Sequence, residues 1–317
     1  MKQCYFVISL DFELFWGIHD AFDINSYYDN VNNVNEVIPK LLDLFKKHNI
    51  HATFATVGAI YHQSYEDFIV YSADAIPPKY KKLGLSPYEE VNLAKEKDYP
   101  ELHFAPYLIS KIRDAGQEIG THTYSHYYCT EAGAELDTFE SDIKKAIGIA
   151  KRNGDNVKSI IFPRNQIGTE DFLSLIKKYG IIAYRGNPYD AFAGKSPLRR
   201  MYRFLSSYFP ISSEVAHVGY EQDVINIPAS HFLRPYTNVR VLNRLQLNRI
   251  KRSMKETAKD GGIYHLWWHP HNMGGDVENN LNFLELILEY YDVLHKEYGM
   301  VSASMAEVAE SYRKKNP

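Results

Sequence analysis

The stretch YFVISLD, residues 5–11, reads as a strand, and VNEVIPKLLDLFKKH, residues 34–48, follows it with Val34, Ile38, Leu41, Leu42 and Phe45 at helical spacing. The same alternation recurs down the chain. HATFATV (51–57) leads to the helical pattern APYLISKIRDAG (105–116), and QEIGTH (117–122) leads to a helix around Asp137–Asn153. KSIIFP (158–163) is followed by TEDFLSLIKKYG (169–180), then IIAYRG (181–186) and VINIPAS (224–230), with a helix near Leu242–Lys259. GIYHLWWH (262–269) precedes a long helix near Val277–Tyr298, and MVSAS (300–304) precedes a closing helix. Parallel neighbours need a crossover of a dozen or more residues, which these helices supply. Seven or eight units predict an α/β fold, a distorted (β/α) barrel of seven or eight parallel strands, with a doubly wound open sheet as the competing arrangement.

Two segments break the rhythm. Residues 61–103 carry AIPPKYKKLGLSP, and residues 187–223 carry NPYDAFAGKSP and YFPISS, all rich in turn formers. Long excursions inside a compact domain usually serve a function. Both read as loops or small caps inserted over the C-terminal rim of a single domain spanning 1–317, where they set substrate choice.

Composition removes several function classes. Lys and Arg total 36 against 39 Asp and Glu, a net charge of −3 with no concentrated basic block, so no nucleic-acid partner is expected. Cys4 and Cys129 are the only cysteines, too few for a disulfide framework. No run approaches 18 apolar residues, so no membrane span is expected, and the N-terminus shows no small-residue cleavage site. A cytoplasmic location is the simplest expectation.

Titratable groups collect where the predicted strands end. SLDFE (9–13) places Asp11 and Glu13 at the close of an apolar run, where an unpaired charge is costly. EIGTHTYSHYYC (118–129) places His122 and His126 four residues apart, about one helical turn, so two imidazoles converge on one point. FPRNQ (162–166) and HLWWHPHN (265–272) add Arg164, His265, His269 and His271. In parallel α/β barrels that edge is where active sites are assembled.

In this order, SLDFE, THTYSH, FPRNQ and WWHPHN resemble the successive motifs of the polysaccharide deacetylase family, carbohydrate esterase family 4, over roughly residues 5 to 305. The resemblance implies a distorted barrel with a mononuclear metal site that removes acetyl groups from sugars. It also implies Asp11 as catalytic base and Glu13, His122 and His126 as metal ligands. The motifs depart from the family's pattern in places: Phe12 separates the two carboxylates, Pro163 precedes Arg164, and a clear Asp–Trp fourth motif is missing. Arg185, in AYRG, is placed at that part of the rim as a substrate-binding residue.

The residue types themselves give a coherent mechanism. Two neutral imidazoles and a carboxylate leave open positions on a divalent ion. Zn²⁺ is the default, with Co²⁺, Ni²⁺ or Fe²⁺ served by the same ligands. Asp11 takes the proton of the attacking water, and Arg164 holds Asp11 ionised. His269 protonates the leaving group. Trp267 and Trp268 offer apolar surface for the acetyl methyl, but they alternate faces along a strand, so one at most lines the site.

The expected activity is therefore removal of an acetyl group, most simply N-acetyl, from a sugar or saccharide such as a precursor of surface polysaccharide. Three other functions compete. A saccharide-binding protein on the same scaffold predicts binding without turnover. An iron oxygenase with two histidines and a carboxylate predicts an oxygen requirement. A two-carboxylate glycosidase leaves the paired histidines unused.

Overall fold

The computed structural model describes residues 3–187, 208 and 215–315. Elements are numbered here among those residues. A nine-residue strand, β1 (Cys4–Phe12), lies inside the sheet with every residue but Tyr5 buried. Parallel neighbours flank it: β2 (Ala52–Thr56) on one side, and on the other β9 (Gly262–Trp268), which aligns Cys4 with Gly262 and Ser9 with Trp267. Beyond β2 come β3 (Glu118–Thr121), β4 (Ser159–Ile160) and β5 (Ala183–Tyr184), all parallel. The short β10 (Val301–Ser302) pairs with the start of β1.

The sheet rolls up through one stretch of chain, residues 224–233. Its first half, β7 (Val224–Asn226), runs parallel to β5, and β6 (Gly219–Glu221) makes an antiparallel flap on its outer edge. Ile227 and Ala229 still donate to Tyr184 and Gly186. From Ser230 onward the N–H groups turn to the opposite neighbour, Ser230 donating to His265 and Leu233 to Trp267, each within 2.9 Å. Here β8 (His231–Phe232) lies parallel to β9. The parallel ladder β5-β4-β3-β2-β1-β9 is thus joined at its ends by a stave that serves β5 below and β9 above. This is the expected distorted (β/α) barrel, with its distortion located at that stave.

Alternation along the strands divides the two faces. Val7, Ala55, Ile161, Ala183, Ile225, Ile227 and Ile263 fill the barrel, and Met305, Val308 and Ala309 of α10 (Met305–Lys315) close its lower end. Phe6, Ile8, Leu10 and Phe12 face outward into the layer built by α2 (Val34–Lys47), which buries Val37, Ile38, Leu41 and Phe45, and by α9 (Val277–Tyr298). On the far side α6 (Leu136–Arg152) and α7 (Glu170–Lys178) cover β4 and β5 with Phe139, Ile143, Phe172 and Ile176. Helix α8 (Arg240–Asp260) precedes β9.

Helix ends follow local chemistry. The Asp23 carboxylate accepts from the Asn25 and Ser26 N–H groups at the start of α1 (Ile24–Asn32), and α9 stops at Gly299, whose φ of 72° suits a residue without Cβ. The segment 61–103, expected as a loop or a small cap, is partly helical. That segment contains α3 (Tyr65–Ser72) and α4 (Glu90–Asp98), and packs Phe68 and Leu102 into the main core. Most of the other expected insertion, 187–223, lies outside the described residues. None of the described helices is long and apolar enough to cross a membrane.

Candidate functional site

The C-terminal ends of the strands bring Asp11, Glu13, His122, His126, Arg185 and His269 together. Glu13 follows β1, and its Oε2 lies 3.2 Å from His122 Nε2 and 3.1 Å from His126 Nε2, with all three residues buried. His122 Nδ1 lies 2.8 Å from the Ile161 carbonyl oxygen. Only an N–H can make that bond, so in the neutral ring Nε2 carries a lone pair aimed at a carboxylate.

Two electron-rich atoms facing each other in a buried site repel unless a proton or a metal ion lies between them. Consistently, His122 Nε2 has no hydrogen-bond partner. Ligands about 2.0–2.1 Å from a tetrahedral ion stand roughly 3.3 Å apart, close to the spacing here, so the three residues fit a divalent metal. Burial pushes the His126 imidazole down to about 4, which keeps it neutral and able to ligate at ordinary pH. Burial alone would raise the Glu13 carboxyl, but His269, His122 and His126 outweigh it and hold the carboxyl well below its usual range.

Among the described residues a second group, Glu13 with His269 and His271, also gathers ligand atoms. Its His269 is half-exposed, with Nε2 3.5 Å from Glu13 Oε1 and 3.7 Å from Asp11 Oδ2, and its Nδ1 lies 3.0 Å from Asn272 Oδ1. The looser spacing and open side make His269 better suited to meeting a substrate.

Asp11 is paired with Arg185, not with Arg164. Nη1 donates to Oδ1 at 2.6 Å and Nη2 to Oδ2 at 2.8 Å, a bidentate fork. The remaining guanidinium donors reach Ser9 Oγ and, twice, Asn165 Oδ1, and the Trp267 ring covers one face at 4.1 Å. Burial would raise the Asp11 carboxyl, but the Arg185 charge overcomes it and lowers the carboxyl below its ordinary value.

Three sequence expectations are corrected. Arg164 points away to Asp20 and stacks on Tyr128 at 4.2 Å, because its backbone turns left-handed at φ 57° in the short helical turn Pro163–Asn165 beyond β4. Arg185 is fully buried with its donors engaged, so it is not open to a substrate. Trp268 packs in the core, leaving Trp267 as the tryptophan beside the site.

Reading from the sequence left Ser9, Asn165 and His265 without roles. Ser9 shares a strand face with Asp11 by simple alternation, a signal that was available. His265 lies beneath: its Nδ1 is 3.2 Å from the Ile227 carbonyl oxygen and its Nε2 2.8 Å from Ser9 Oγ. Burial holds that ring neutral, pushing it down to about 3. Directions then follow, with Arg185 donating to Ser9, Ser9 to His265, and His265 to Ile227.

Backbone strain collects at the same rim. Leu14, Thr123, His126, Arg164 and Asn165 all have φ between 48° and 65°, a region that costs energy for residues with a Cβ and is often found where function constrains geometry.

A family model described as polysaccharide deacetylase matches residues 20–184, just over half of the chain. That match takes in His122, His126 and Arg164 and stops short of Asp11, Glu13, Arg185 and His269. No curated protein matches the sequence. Among solved structures, one described as a polysaccharide deacetylase from Mycobacterium smegmatis is 14% identical with a TM-score of 0.63, over 99% of this chain and 92% of its own. Another so described, from Pseudomonas aeruginosa PAO1, is 12% identical with a TM-score of 0.57 over 99% and 92%. The allantoinase Puue is 13% identical with a TM-score of 0.56 over 99% and 91%. At such identities the likeness concerns the fold.

Proposed function

The chain belongs to the polysaccharide deacetylase family, and from that premise we propose that it is a divalent-metal-dependent hydrolase that removes an N-acetyl group from a sugar or saccharide. One observation carries the reading: Glu13 Oε2 faces two buried imidazole nitrogens, 3.1 and 3.2 Å away, beside an aspartate neutralised by a buried arginine.

Glu13, His122 and His126 would hold a divalent ion, Zn²⁺ by default, which would supply Lewis acidity toward the acyl carbonyl and the attacking water. The chain's residues do the rest. Asp11, kept ionised by Arg185, accepts a proton from the water that attacks the carbonyl carbon. His269 stands across the site and returns a proton to the nitrogen as the C–N bond breaks, yielding acetate and a free amine. Asn272 orients that ring through Nδ1, and its Nε2 faces Glu13 and Asp11 at 3.5 and 3.7 Å. Trp267 and Phe232, whose rings stand 4.7 Å apart beside His269, offer the apolar wall for the acetyl methyl or a sugar face.

The experiment is to measure divalent-metal content and acetate release from N-acetylated saccharides and sugar precursors, for wild type and Glu13→Ala. Stoichiometric metal and acetate release, both lost in the variant, support the proposal. Saccharide binding with neither metal nor turnover would replace it with a binding protein, and turnover of equal rate in Glu13→Ala would remove Glu13 from the metal site.

A further inference from the structure

His122 and His126 are held in different ways. His122 is oriented by its own ring, whose Nδ1 donates to Ile161. His126 Nδ1 is buried with no hydrogen-bond partner. A metal-binding histidine usually donates its second nitrogen to a fixed acceptor, which sets ring orientation. Here the position of His126 must come from its backbone, and that backbone is strained, with φ at 57° for His126 and 65° for Thr123.

What grips the backbone is the segment 61–103. The Tyr128 N–H, two residues beyond His126, donates to Tyr80 Oη at 2.8 Å, and the Tyr128 ring presents an edge to the His126 ring at 5.0 Å. Tyr80 and Leu85 form a small buried cluster with Tyr128. The Tyr124 hydroxyl is shared by His62 Nε2 at 2.9 Å and Ser72 Oγ at 2.7 Å. Close by, the Lys81 N–H donates to Ala132, and a Cβ at Gly133 would stand 1.9 Å from the Lys79 carbonyl oxygen. The segment therefore lies in backbone contact with the chain that leaves the metal loop.

We infer that the segment 61–103 is a clamp whose Tyr80 hydroxyl positions His126 for metal binding. The inference rests on the proposed metal site. Tyr80 touches neither metal nor substrate, so it is a positioning residue.

The test is Tyr80→Phe, with Tyr291→Phe as matched control. Tyr291 Oη likewise accepts a buried backbone N–H, that of Ser302 at 2.9 Å, but on α9 and β10 rather than at the rim. Zn²⁺ affinity by chelator competition, the visible spectrum of the Co²⁺-loaded protein and thermal stability are measured for each. Tyr80→Phe is expected to weaken Zn²⁺ binding about tenfold and to alter the Co²⁺ spectrum, whereas Tyr291→Phe lowers stability and changes neither. If Tyr80→Phe does not fold, Tyr124→Phe carries the same expectation.

Wild-type affinity and spectrum in a folded Tyr80→Phe that is merely less stable would overturn the clamp and leave the metal site standing. A wild type that binds neither ion would overturn the metal site, and the clamp with it.

Discussion

An arginine taken fully out of water must find acceptors for five N–H groups, and Arg185 does so with Asp11, Ser9 and Asn165. A lysine offers a point charge and cannot reproduce the fork. Arg185→Lys is therefore expected to lower kcat/KM by about 100-fold or more while metal content stays at wild-type stoichiometry. Removing the charge altogether, as in Arg185→Met, leaves Asp11 buried without its counter-ion and is expected to cost about 3–5 kcal/mol in urea unfolding. Arg164→Ala loses a partly exposed pair with Asp20 and the stacking on Tyr128. It should change stability by less than about 1 kcal/mol and kcat/KM by less than about threefold. If Arg164→Ala were the more damaging of the two arginine variants in steady-state assays, the roles drawn from the geometry would be reversed. Both arginines lie just past a strand end, and strand periodicity cannot rank them. The sharp turn at Pro163–Asn165, which swings Arg164 outward, is a backbone event with no hydrophobic pattern to announce it.

At the scale of elements, the strand-then-helix rhythm was legible because each helix must bury a stripe against the sheet. The predicted Val277–Tyr298 matches α9, and the helix expected around Asp137–Asn153 is α6 at Leu136–Arg152. Within the insertion at 61–103 the helices themselves were not legible, since Pro and Gly at 77–84 obscured them on either side. Helix α6 also carries a role that no pattern revealed. Asp142 accepts from the Tyr124 N–H at 2.6 Å, the Ser125 N–H at 3.1 Å and Ser125 Oγ at 2.5 Å, pinning the loop between His122 and His126 from below. Asp142→Asn replaces one of the accepting oxygens with a donor. It is expected to weaken Zn²⁺ affinity about tenfold, measured by chelator competition, while far-UV circular dichroism stays unchanged. Retained affinity would show that the loop needs no anchor on α6.

For the whole molecule, the buried histidines set a limit on acid tolerance. Burial pushes His103 and His126 down to about 4, and His231, His265 and His271 down to about 3. The unfolded chain protonates these rings near pH 6.5, so between there and about pH 4 it binds more protons than the folded one, and stability falls as pH falls. Five such groups give a slope of up to about 7 kcal/mol per pH unit. Asp11 and Glu13, held low in the fold, add to the loss at lower pH, whereas Asp142, which burial pushes up to about 6, opposes it. Urea midpoints of metal-free protein should drop steeply between about pH 6.5 and about pH 5, and a flat profile would mean that these rings are not neutral in the fold.

The position of β1 has a further consequence, one of timing. Asp11 lies in a strand, and Glu13 just past its end, with β2 on one side, but on the other side the strand waits for β9, where Cys4 meets Gly262. A ribosome delivers these partners far apart, and until β9 emerges the nascent chain exposes an unpaired apolar edge suited to mispairing. The same late strand carries Trp267 and leads to His269. The act of synthesis that satisfies the exposed edge therefore also completes the site, and a chain interrupted before β9 would be at once sticky and inactive.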